Sequence, residues 1–147
     1  VPDGLLARLR AAATTQAQPL AALRAVFMAH VDFVVEQPGV PRVIFQELQH
    51  PEDTPIKARV RRLMQDYRGL ITGLLQQALA ARQLAPGTDL QAAAVLFIGS
   101  VQGLVMQSLL SGQVGAIRPL APAVYDLFQH ALAAPPTRTR RPQETPA

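Results

Sequence analysis

At 147 residues the chain can form one domain with a real core, and the absence of cysteine excludes a disulfide scaffold, a thiolate zinc site and a Cys nucleophile. Tryptophan is absent and aromatics are few, so Leu, Ala and Val must build the interior, a mixture that suits helices better than strands. The formal charge of +4 is not a nucleic-acid signature: residues 1–134 carry eleven Lys/Arg against nine Asp/Glu, and the last thirteen residues add three Arg against one Glu.

Helix punctuation is clear along the chain. Asp3 is placed to cap a short first helix over about Gly4 to Ala13, with Leu5, Leu6 and Leu9 on one side. After the polar stretch "TTQAQ", Pro19 suits the first turn of a longer helix. In it Leu20, Leu23, Phe27, His30, Val31 and Val34 recur at spacings of three and four. Pro38-Gly39 stops that helix, and Pro41 opens a short third one, "PRVIFQELQH", closed by His50-Pro51. Thr54-Pro55 is an N-cap followed by proline at the first helical position. The fourth helix then carries an apolar stripe from Ile56 through Met64, Tyr67 and Ile71 to Leu79, with Lys57, Arg61 and Arg68 off it. Its roughly 40 Å, at about 1.5 Å per residue, mark it as the backbone of the domain.

Thr88 with Gln91 reads as a capping box for the fifth helix, Asp89 to Ser111, which Gly112 ends. A loop to Pro119 precedes a sixth helix over about Pro122 to Ala133. The stretch "PPTRTRRPQETPA", 135–147, is rich in Pro and Arg and lacks large apolar residues, which predicts a disordered tail after a helical domain over 1–134. No segment alternates with strand period, so the expected fold is all-α with about six helices.

Enzyme chemistry finds little support. Glu47/His50 and Asp126/His130 are isolated pairs at helical spacing, without the additional carboxylates that a metal bundle requires, and helix-end hydrogen bonding explains them as well. No Gly-rich phosphate loop or G-x-S-x-G turn is present, and no cofactor is implied. The Arg residues of "KARVRRLMQDYR" are spread around their helix, which favours a solvated face. His30, on the apolar stripe of the second helix, is either a satisfied core histidine or a polar anchor in a ligand cavity, and Gln102 has the same two readings.

The segment Leu90 to Ile117 carries no charged residue and is long enough to span a bilayer. Gln91, Gln102, Gln107, Ser100 and Ser108, together with the lack of an aromatic belt, argue against insertion and for a cytoplasmic, membrane-free protein. Phe97, Val101, Leu104 and Val105 form one apolar stripe for the domain's own core. Leu96, Gly99, Gly103, Met106 and Leu110 form a second, which a helix of this kind must also cover. A second copy of the chain is the economical cover, and Gly99-x-x-x-Gly103 would let helices cross closely. A plain helical dimerisation module without a pocket is the alternative to a ligand-sensing one.

Through "FVVEQPGVPRVIFQEL", the break "LAPGTDLQAAA" and the helix "LFIGSVQGLVMQSLLSG", the chain resembles the C-terminal half of a TetR/AcrR-type transcriptional regulator over about Leu20 to Leu132. The resemblance implies a homodimer whose last two helices pair with their copies in a four-helix bundle, the seam drawing also on Val124, Leu127 and Phe128. It implies a small-molecule effector pocket enclosed by the second, fourth and fifth helices. Candidate lining residues are Phe27, His30, Val31, Val34, Met64, Tyr67, Ile71, Ile98 and Gln102. The N-terminal helix-turn-helix domain of such regulators is absent from this chain, which should therefore not bind operator DNA specifically.

Overall fold

The computed structural model describes residues 2–133. Six helices follow one another: α1 (Pro2–Thr14), α2 (Pro19–Glu36), α3 (Gly39–Leu48), α4 (Pro55–Ala80), α5 (Leu90–Ser111) and α6 (Ile117–Leu132), with a 3-10 turn at Val114–Ala116 leading into the last. Among the described residues there is no strand beyond one isolated bridge, Leu84 to Ala133, which ties the α4–α5 loop to the end of α6. The Pro/Arg-rich tail lies outside the described residues.

Local signals explain most boundaries. Pro19 and Pro55 sit in the first turns of α2 and α4, where their missing N–H would have no partner anyway. Thr54 caps α4 by accepting from the Lys57 amide at 3.2 Å. Asp89, not Thr88, caps α5: its carboxylate accepts from the Ala92 amide at 3.1 Å, while the Thr88 hydroxyl donates back to the Ala85 carbonyl. Gly112, with φ +72°, ends α5 in the left-handed region.

Three boundaries differ from the sequence expectation: α1 begins at Pro2, so Asp3 lies inside that helix and is not its cap. The third helix begins at Gly39 and not Pro41, and α6 begins at Ile117, five residues ahead of Pro122. Pro122 interrupts one helical hydrogen bond, yet Ala121 and Ile117 are buried one and two turns ahead of Tyr125. Burial of this continuous stripe outweighs the lost bond.

Just past the end of α4, Arg82 takes φ +59° while the Gln83 amide closes back onto the Ala78 carbonyl at 2.9 Å. A side chain is strained in that conformation and a glycine is not. Arg82→Gly is expected to raise stability by about 1 kcal/mol in urea unfolding; an unchanged or lower midpoint would show that the arginine is compensated.

The helix with neighbours on most sides is α2, not the longer α4. It packs on α1, α4, α5 and α6, burying Leu23, Val26, Phe27, Val31 and Val34. At the centre an aromatic cluster joins three helices: Phe27 meets Phe97 edge-on at 5.4 Å, and Phe97 meets Phe128 at 5.5 Å. Tyr125 completes the cluster and donates its hydroxyl to the Leu20 carbonyl at 2.9 Å. Arg8–Glu36, Arg24–Asp126 and Arg118–Asp32 pair helices on the surface. Such exposed pairs contribute little to stability.

α5 is long and apolar enough to cross a membrane, but one of its faces is occupied by this core: Phe97, Val101, Leu104 and Val105 are buried as the periodicity predicts. With 44% of its most apolar window buried, the other face is left open by the subunit.

Candidate functional site

Where α2, α3, α4 and α5 diverge they leave a cavity of about 540 Å³, which Leu5 of α1 also touches. Its wall is almost wholly apolar. α3 supplies Pro41, Ile44, Phe45 and Leu48, the i, i+3, i+4, i+7 stripe of a short helix in which no side chain is fully buried. This helix covers the space without filling it.

The polar groups of the wall are few. His30 and Tyr67 meet across the α2–α4 junction, Nδ1 to hydroxyl at 2.8 Å. Tyr67 is 1% exposed and has no other side-chain partner among the described residues, so its proton is satisfied by donating to Nδ1. The neutral imidazole then carries its own proton on Nε2. Neither ring nitrogen of His30 is buried without a partner, and His30 borders the cavity, so Nε2–H keeps its exposure there. Burial pushes the His30 imidazole down to about 4 and the Tyr67 phenol above its usual range, so both are neutral near pH 7. Gln102 lies at the exposed rim.

Of the nine residues expected to line a pocket, His30, Val34, Met64, Tyr67 and Gln102 do so. Phe27, Val31, Ile71 and Ile98 do not. They are at most 4% exposed and point into the helix–helix seams of the core, Phe27 against Phe97 and Tyr125. They lie on the same helix faces as the lining residues, about one turn away, where the neighbouring helices meet and fill the space. The whole contribution of α3 was missed, although its apolar spacing was a signal for it.

A second concavity lies on the outer side of the α5–α6 pair, lined by Val95, Leu96, Gly99, Gly103, Leu120 and Val124 among others. Of the expected seam residues, Leu96, Gly99, Gly103 and Val124 are here. Leu110 and Leu127 continue the exposed face at 81% and 74% exposure. Met106 instead borders the inner cavity, and Phe128 is corrected outright: at 3% exposure it packs on Phe97 and Tyr125 within its own subunit. Val95 and Leu120, both exposed, were missed. Gly103 borders both concavities, so α5 is a wall one helix thick between them. The metal test on paired Glu/Asp and His finds no group of three or more possible ligands among the described residues, and the Asp126 carboxylate is engaged by Arg24.

This arrangement has a family. Residues 19–124 match the tetracyclin repressor-like C-terminal domain, a span that includes the whole lining of the outer concavity and every cavity residue except Leu5. The chain belongs to that family. It is therefore a regulatory-domain fold, of a kind generally found in dimeric regulators that bind small effectors. A solved structure titled as a protein with unknown function from Rhodococcus sp. RHA1 shares this fold with a TM-score of 0.71 at 20% identity. The match covers 88% of the tetracyclin repressor-like chain described here and 66% of that protein, so the present chain spans less than two thirds of its length. No curated protein matches the sequence.

Proposed function

We propose that this tetracyclin repressor-like domain is the effector-sensing and dimerising part of a cytoplasmic TetR-type transcriptional regulator. Operator DNA would be reached only through a helix-turn-helix domain joined ahead of α1, which these 147 residues do not contain. The observation that carries the reading is the cavity of about 540 Å³ with a hydrogen-bonded histidine–tyrosine pair in its wall. A module used for dimerisation alone would fill that volume with side chains, because interiors pack densely unless the space has a use.

An effector acts here by population shift: it favours whichever arrangement of the dimer it binds better, and can move the equilibrium by no more than that difference. Three routes out of the cavity support this. Leu5 places α1 at the wall, α3 lines one side of it, and Gly103 of α5 connects it to the face opposite the core. Met64→Trp, which fills the space from α4, tests the assignment. A small apolar molecule extracted from purified protein and identified by mass spectrometry is expected with the wild type and not with the variant. Equal recovery from both would remove the cavity as its site.

A further inference from the structure

The cavity's chemistry restricts its occupant more than its size does. None of the lining side chains carries a charge at neutral pH, so an ionised ligand group would be stripped of water with no counter-ion to meet it. His30 cannot become that counter-ion cheaply, since burial already disfavours its protonated form. The Tyr67 hydroxyl gives its only proton to Nδ1. Gln102 sits at the exposed rim, where water competes for its amide. One fixed hydrogen-bond donor therefore borders the cavity from a side chain: Nε2–H of His30, held in register by the Tyr67 bond behind it.

We infer that the cavity takes an uncharged, mainly apolar molecule carrying a hydrogen-bond acceptor, such as a ketone, ester or lactone oxygen, which Nε2–H of His30 engages. This rests on the reading of the cavity as an effector site. Tyr67 is a positioning residue in this scheme, since it acts on the ligand only by fixing the tautomer and ring orientation of His30.

Four probes of matched size separate the possibilities: butyrophenone (ketone), butylbenzene (no acceptor), 4-phenylbutanoate (anion) and 4-phenylbutylamine (cation). Each is added at one concentration to the full chain near neutral pH, and the rise in Tm is converted to Kd by linkage. Butyrophenone is expected to bind about tenfold more tightly than butylbenzene, the worth of one good hydrogen bond, and more tightly than either ion. In His30→Phe the ketone should fall to the level of butylbenzene, whose own affinity stays within about twofold because only the donor is lost. Should that variant fail to fold by circular dichroism, Tyr67→Phe is read instead: it keeps the imidazole but frees its tautomer, and the ketone preference should shrink. Gln102→Leu should leave the preference intact.

Butylbenzene binding as tightly as the ketone, or either ion binding best, overturns the ligand class. The effector-site reading survives such a result if Met64→Trp still blocks the binding. Binding that Met64→Trp does not affect overturns both, and failure of all four probes to bind overturns the ligand class.

Discussion

Leu96→Asp combined with Leu127→Asp is expected to convert a dimer at micromolar concentration into a folded monomer, weakening association by more than about a hundredfold. Both leucines are exposed, at 48% and 74%, on the side of α5 and α6 that faces away from the core, beside Val95, Leu110 and Leu120. An apolar face of this extent marks an interaction surface. The expectation that a second copy covers it rests on Gly99 and Gly103. Each glycine is less favourable in a helix interior by about 1 kcal/mol relative to alanine, and a Cβ at either position would meet nothing within 4 Å in this subunit. Nothing in the subunit itself is gained by omitting those side chains, whereas a helix from a second copy would be able to approach closely there.

In a two-fold interface each aspartate occurs twice, so four carboxylates would be desolvated without partners. Sedimentation or light scattering at tens of micromolar reads the outcome, with circular dichroism confirming that helicity is kept. A monomeric wild type, or a double variant that remains dimeric, would mean that the seam lies elsewhere.

Acid is expected to weaken the fold through His30. Its folded pKa of about 4 lies below the ordinary 6.5, so between those values the unfolded chain binds the proton and the folded one resists it. Stability therefore rises with pH across this window, is fully present above about 6.5 and is lost as pH falls toward 4. The depression corresponds to about 3 kcal/mol at 1.36 kcal/mol per pH unit. Glu36 adds a loss of the same sign: its hydrogen bond from Arg8 holds the carboxyl below the usual range, and acid removes that contact. The His30 share is isolated by comparing urea midpoints of wild type and His30→Phe from pH 7.5 down to 4.5. The wild-type profile should fall more steeply. Parallel profiles would show that the imidazole titrates as if in water.

Much of the fold was legible in the order of residues because its signals are local. Prolines at Pro19 and Pro55, the cap at Thr54, the left-handed Gly112 and the 3.6-residue stripes are decided within a few residues, and the all-α architecture follows from them. The resemblance carried by "FVVEQPGVPRVIFQEL" and the α5 segment also named the family correctly. His30, Val34, Met64, Tyr67 and Gln102 were found because a cavity wall and a core wall are both apolar stripes, and these residues lie on them. That same property misled the assignment of Phe27, Val31, Ile71 and Ile98. Periodicity shows which face of a helix turns inward but not whether the space beyond it is filled. Only the tertiary structure decides that Phe27 meets Phe97 while His30, three residues on, meets Tyr67 at the edge of an empty volume. It also decides that α3 lines one side of that volume and that Phe128 belongs to its own core, because both depend on how helices distant in sequence diverge and converge. By itself the sequence determined the helices, the family and two apolar faces on α5; the packing of α2, α3, α4 and α5 determined where the cavity lies.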